Sequence, residues 1–266
     1  MISEWQSKWA LVTGASAGIG VALAEELAAG GTHLLLTARR LDRLENLAGD
    51  LRKKFGIQAQ VFAADLAKRE APETIFEYTK EKGLRIDLLI NNAGFGQYGE
   101  LHKVENQRLV DMVEVNCTAV VHLTRLFLPD MVARRGGDIL IVASTAAFQA
   151  VPYISTYAAS KAFDLYFAEG LAEEMKPHGI RVCALCPGST ESEFHAVAGQ
   201  EKFTAKHQEP AEKVARTGLQ ALAAGKSYVI SGLGNYLGAH AQRVVPRRVV
   251  ARIAAKMFRP DQAAKG

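Results

Sequence analysis

The chain has 266 residues, 48% apolar and 23% charged, which is enough for one large domain with its own core and excludes a disordered chain. The formal charge of +4 is unevenly placed: residues 240–259 hold six basic and no acidic side chains, leaving −2 for the rest. That balance excludes a basic nucleic-acid face on the body.

The three cysteines, Cys117, Cys183 and Cys186, form no framework spacing. Cys183 and Cys186 lie inside the apolar run from Ile180 and read as strand packing rather than a metal or redox pair. The N-terminus has no basic and apolar leader, and no run is long enough to span a bilayer. A reducing, cytoplasmic setting is expected, in which the Asn116-Cys117-Thr118 glycosylation sequon has no meaning.

Trp9-Ala10-Leu11-Val12 reads as the first strand, followed by the turn Thr13–Gly20. Residues 19–29 read as a helix stopped by Gly30-Gly31. Strands follow at 33–37, 59–63, 86–91, 138–143, 181–186 and 228–230, and helical patterns fill the gaps, the first at 41–55. Long helices are expected near 106–135 and 156–176. Apolar strands separated by helices predict an α/β fold, a single doubly wound Rossmann-type domain. Its parallel sheet should have about seven strands with helices on both faces. Residues 1–232 form the predicted domain, and 233–266 a basic helical extension packed on the body or a partner subunit.

A glycine motif alone is weak, but this one leaves a strand and opens a helix. Gly14 permits the tight turn, Gly18 and Gly20 permit close backbone approach, and the helix N-terminus offers N–H groups to a pyrophosphate. Past the second strand the chain reads Thr37-Ala38-Arg39-Arg40, with no acid before Asp42. An acid there would bond a ribose hydroxyl and repel a 2′-phosphate, whereas an arginine bonds the phosphate. NADP(H) is therefore the expected cofactor, with Arg39 the first choice and Ser16 and Arg40 as helpers. Asp65, beside Leu66, ends the third strand where adenine could be read, and Asn91-Asn92-Ala93-Gly94 ends the fourth.

Farther on, Ser144, Tyr157 and Lys161 form a Ser-x12-Tyr-x3-Lys array. With Thr13-Gly14-x3-Gly18-x-Gly20, Asp65, Asn91 to Gly94, Asn116 and Pro187-Gly188, the chain over residues 8–232 resembles the classical short-chain dehydrogenase/reductase family. The resemblance implies a catalytic tetrad of Asn116, Ser144, Tyr157 and Lys161, with Asn116 fixing a water next to the lysine. It further implies cofactor contacts from Ile19, Leu66, Asn92, Ala93, Gly94, Pro187, Gly188 and one of Thr190 or Ser192, which hold the carboxamide.

The chemistry of the pair follows from its spacing. Lys161 lies one helical turn past Tyr157 on the same face. Its cation, with the positive charge of an oxidised nicotinamide, favours the phenolate and should lower the pKa of the tyrosine, which ordinarily titrates near pH 10. Ser144 at a strand end can orient a substrate oxygen. The expected reaction interconverts a carbonyl and an alcohol, with Tyr157 moving the proton.

Phe95, Tyr98, Phe148, Tyr153 and Phe194 predict an apolar pocket with few charges, and residues 193–208 its lid, for a medium or large apolar substrate. Apolar surface on the two long helices, and the resemblance, imply a homodimer or homotetramer. In the tail, Val249, Val250, Ile253 and Met257 are expected to pack inward, with Arg248, Arg252, Lys256 and Arg259 wet. An anionic membrane surface is the less favoured partner for that helix. Two other readings are a dinucleotide-sensing protein without turnover and a membrane-peripheral protein acting through its tail.

Overall fold

The computed structural model describes residues 2–199 and 208–260 of the chain. Seven parallel strands, β1 (Trp9–Thr13), β2 (His33–Ala38), β3 (Ala59–Ala63), β4 (Ile86–Asn91), β5 (Gly137–Val142), β6 (Ile180–Cys186) and β7 (Tyr228–Ile230), form one sheet in the order 3-2-1-4-5-6-7. Every neighbouring pair is parallel, in registers such as Ala10↔Leu34 and Leu11↔Leu89.

The continuous apolar runs arise because both faces of these strands are covered. Alternate residues go to opposite cores. Ala10, Val12, Leu34, Leu36, Leu88 and Ile90 pack with α1 (Gly18–Ala29), α2 (Leu41–Phe55) and α8 (Ala211–Ala223). Leu11, Leu35 and Leu89 pack with α3 (Ala71–Glu81), α5 (Ala119–Ala133) and α6 (Ser155–Met175). The strand order reverses between β1 and β4, so the crevice for a ligand opens at their C-terminal ends.

The helix expected over 106–135 is broken. It consists of α4 (Asn106–Val113), a π-turn at Glu114–Thr118, and α5. The extra residue in that turn faces Asn116 inward, the kind of local insertion that recurs at functional sites. A short helix, α7 (Phe194–Val197), follows β6. Of the expected lid, residues 200–207 lie outside the described residues.

The extension forms α9 (Leu233–Ala241) and α10 (Arg247–Met257), the latter introduced by Pro246. Here the structure corrects the sequence reading. Val249, Ile253 and Met257 are 40%, 54% and 66% exposed. The row one residue along faces inward, with Ala254 buried and Val250 and Phe258 half-buried. Phe258 packs in a cluster with Met112, Tyr157 and Phe194, and the Tyr98 hydroxyl donates to its carbonyl at 2.9 Å.

Candidate active site

Strand ends and helix starts build one crevice, with a cavity of about 470 Å³. At its centre the glycine turn crosses from β1 to α1. Gly14 and Gly18 have φ of +66° and +54°, and a Cβ on Gly20 would lie 2.2 Å from the Gly14 carbonyl oxygen. That contact is backbone to backbone, so no side chain fits. The α1 N-terminus has no side-chain cap, which leaves its N–H groups to the crevice. Asn92 ties β4 to this turn: its Nδ2 donates to Thr13 O at 2.8 Å and Gly14 O at 3.3 Å. The Thr13 hydroxyl accepts from the Asn92 and Ala93 N–H groups. Asn92 thus shapes the cradle.

Both Arg39 and Arg40 line the crevice, but Arg40 is the one seated against Ser16, with Nη2–Oγ at 3.0 Å and Nε–Oγ at 3.2 Å. Arg39 is exposed. Glu193, just past β6, bridges Arg43 at 2.6 Å and Arg40 at 2.8 Å. Hydrogen bonds from Arg43 and then Arg40 hold its carboxyl below the usual carboxylate range. Neither Arg43 nor Glu193 carries a motif, so the sequence offered no signal for either. Two arginines and a serine at the end of a glycine cradle fit a dinucleotide that bears a 2′-phosphate.

Ile19, Asp65, Leu66, Ala93, Gly94, Pro187, Gly188, Thr190 and Ser192 also line the crevice. Asp65 Oδ1 accepts from the Ala67 N–H at 3.2 Å, fixing the turn after β3. The Thr190 hydroxyl donates to Gly188 O at 3.1 Å, and Ser192 Oγ donates to Thr190 O at 3.3 Å. A Cβ on Gly18 would strike Ser192 Cβ at 2.7 Å, so this loop closes directly over the glycine turn.

The residues expected to be catalytic meet at the same crevice. Tyr157 and Lys161 project from α6, and Ser144, two residues past β5, caps the short helix at 145–148 by accepting from the Ala146 N–H at 3.1 Å. Lys161 Nζ donates to Val142 O at 2.7 Å and to Asp164 Oδ2 at 3.0 Å. Asn116 is fully buried, and its Nδ2 donates to Phe95 O at 3.0 Å and Ser160 Oγ at 2.9 Å. Its Oδ1 accepts from the Phe95 N–H. The side chain therefore pins the Phe95 loop to α6. Gly94 lies between Asn116 and Lys161, since a Cβ there would come within 3.2 Å of both.

The Lys161 cation by itself does not bring the phenol below its usual range. Burial pushes the Tyr157 hydroxyl above its usual range, and this outweighs the opposing pull of Lys161 and of a hydrogen bond from Ser144. Asp164, which the sequence reading did not anticipate, adds to the upward push.

Of the five expected pocket aromatics, Phe95 and Phe194 line the crevice, and Phe194 stands 5.1 Å from the Tyr157 ring centre. Tyr98 backs them in the same apolar cluster. Phe148 instead packs toward Tyr228 and His240, and Tyr153 lines a separate hollow with Gln97 and Leu109. The sequence reading missed Ile154, Val197 and Phe258 as apolar lining, and Arg108 and Asp111 as charges at the wall. Arg108 lies 4.4 Å over the Phe95 ring.

A family model described as short chain dehydrogenase matches residues 8–202. The chain belongs to the short-chain dehydrogenase family. Membership places it among oxidoreductases built on a Rossmann-type sheet. It is 37% identical over 185 residues to a very-long-chain 3-oxoacyl-CoA reductase of Anas platyrhynchos, covering 67% of this chain and 58% of the relative. A protein of the same name from Phaeosphaeria nodorum is 36% identical over 178 residues, covering 65% and 52%. The chain thus spans only a little over half the length of these curated relatives. Among solved structures, a short-chain dehydrogenase from Sphingobium yanoikuyae in complex with NADPH superposes with a TM-score of 0.82 at 29% identity, covering 97% of this chain and 99% of the other. A bulky-bulky ketone specific alcohol dehydrogenase from Comamonas testosteroni gives 0.76 at 27% identity, covering 97% of each.

Proposed function

We propose that the chain is an NADP(H)-dependent oxidoreductase that interconverts a carbonyl and an alcohol on a medium or large apolar substrate. The observation that carries the reading is the seating of Tyr157. It stands between the glycine cradle and an apolar wall of Phe95, Ile154, Phe194 and Phe258, with Lys161 one turn away. When bound, a reduced nicotinamide supplies the hydride. The residues present do the rest. Ser144 bonds and orients the substrate oxygen; Tyr157 gives that oxygen its proton as the alcohol forms; Lys161 stabilises the phenolate left behind. Ser16 and Arg40, with Arg39 beside them, hold the 2′-phosphate. The NADPH complex among the solved relatives supports the cofactor, and the reductase and bulky-ketone relatives support the substrate class.

Self-association is part of the same reading. Val110 and Val113 on α4 and Phe163 and Tyr166 on α6 are exposed, and they offer apolar surface for a second copy.

A panel of bulky ketones, steroid ketones and 3-oxoacyl thioesters, followed at the NADPH absorbance band with NADH as control, tests the function. Oxidation of NADPH by at least one apolar ketone is expected. No turnover across the panel, in either direction, sinks the reading.

A further inference from the structure

Asp164 lies on α6 three residues past Lys161, and their side chains are 1% and 6% exposed. Its Oδ2 accepts from Lys161 Nζ at 3.0 Å, and its buried Oδ1 has no hydrogen-bond partner. An ammonium has three donors. Asp164 and the Val142 carbonyl take two, leaving one to point at the crevice. A buried ion pair is costly to keep: apolar side chains replacing Lys161 and Asp164 together would hold the helix interface at least as well, whereas an apolar side chain at 164 alone would strand the Lys161 ammonium. The acid therefore balances a buried lysine that packing alone does not require. What the acid changes is the field at the neighbouring phenol.

The titratable groups around it are few. Tyr157 and Lys161 share its helix, Cys117 faces it from the π-turn, and Cys186 stands behind Lys161 on β6. Burial pushes the Cys117 thiol up to about 11 and Cys186 higher still, so both stay neutral at physiological pH. Burial pushes the Asp164 carboxyl up while Lys161 pulls it back down; as an ion pair, Lys161 and Asp164 are then the charges that act on Tyr157.

We infer that Asp164 is a positioning residue that fixes the Lys161 ammonium and cancels part of its charge at Tyr157, keeping the tyrosine a proton-donating phenol at neutral pH. The inference rests on the reading of Tyr157 as the proton carrier. It sets a direction: carbonyl reduction, which needs the phenol, is favoured at neutral pH, and alcohol oxidation, which needs the phenolate, sets in only at alkaline pH.

Asp164→Asn tests this, because it keeps the shape and an acceptor for Lys161 while removing the charge. Tyrosinate absorbance is titrated in the resting full-length protein, as a difference against Tyr157→Phe in the same background. The Tyr157 transition is expected to fall by about one to two pH units. The alkaline limb of carbonyl reduction should fall with it, and the onset of alcohol oxidation should move down equally. A lowered melting temperature and rate with an unshifted tyrosine titration would show a merely structural residue and overturn the inference. If Asp164→Asn does not fold, Asp164→Ser is read the same way. Carboxyl NMR of the wild-type chain also decides without a variant: Asp164 found protonated at neutral pH overturns the proposal. Failure of every substrate to turn over would sink the reductase reading, yet the resting tyrosine titration would still decide the role of Asp164.

Discussion

The two ends of the crevice use the same chemistry, cation beside carboxylate, under opposite solvation. At the Tyr157 end Lys161 and Asp164 are buried. At the phosphate end Arg40, Arg43 and Glu193 pair at 2.6–2.8 Å, yet their side chains are 41%, 44% and 45% exposed. Water and salt screen the second set and hardly reach the first. A buried charge therefore changes the proton affinity of its neighbour, whereas an exposed one steers and holds a charged ligand. Substitutions at the two ends should differ in size, in salt dependence and in their effect on folding.

The largest effect belongs to the buried end. Tyr157→Phe removes the proton carrier alone, so NADPH binding, followed by fluorescence, should stay while turnover falls by about a hundredfold or more. A near-wild-type rate would refute the mechanism. Lys161→Ala should lose turnover as well, and in addition strands Asp164 as an unpaired buried charge. Removing one member of a buried pair costs roughly 3–5 kcal/mol. Its melting temperature should therefore drop, which arginine substitutions at the exposed end should not reproduce.

Gly20→Ala comes next. The new methyl group meets the Gly14 carbonyl oxygen and Asn92 Nδ2, at 2.2 and 2.7 Å, so the turn itself must move. Overpacking of this kind costs roughly 1–3 kcal/mol. Weaker binding of NADPH and NADH alike is expected by calorimetry, because the shared pyrophosphate cradle is what deforms. Unchanged affinity for both would show that the cradle is not the cofactor seat.

The difference between the two ends also governs what could be read from sequence. The strands were legible because a parallel strand buried on both faces is an apolar run, as in Leu34-Leu35-Leu36. Tyr157 and Lys161 were legible because a four-residue spacing on a helix fixes a shared face. Asp164 was not, because an acid in a helix reads as a solvated charge until the packing of α6 on β5, β6 and the π-turn is known. That turn was equally hidden, since nothing in Glu114–Thr118 distinguishes it from ordinary helix. In α10, Val249/Ile253/Met257 and Val250/Ala254/Phe258 are adjacent rows of equal period. Periodicity alone cannot choose between them, and the smaller row won because Ala254 allows close approach while Phe258 reaches the pocket. The Arg40–Glu193 contact joins residues 153 apart in sequence, which no local pattern reports.

At the exposed end the effects should be smaller and confined to the cofactor phosphate. Arg40→Ala and Arg39→Ala each remove a charge-assisted contact of about 1.5–3 kcal/mol, or about ten- to a hundredfold in NADPH affinity, with NADH spared. Because Arg40 is the one seated on Ser16, its loss should be the greater. Equal losses for the two cofactors would cancel the assignment.

The smallest effect is also the most specific. Glu193 lies across Arg40 and Arg43, so its carboxylate and a 2′-phosphate seek the same Arg40 guanidinium. Its folded-state pKa lies below the unfolded one, so the contact is fully present above the usual carboxylate range and is lost as pH falls through the lowered value. Removing the competing charge by Glu193→Gln should strengthen NADPH binding by about two- to fivefold at low salt, the scale of an exposed ion pair, and leave NADH binding unchanged. The gain should fade as salt rises, because the groups involved are screened. At acid pH the wild-type chain should approach the variant, since protonation removes the same charge. A gain shared by NADH, or one indifferent to salt, would mean that Glu193 acts through the fold of the loop and not by rivalry for the arginines.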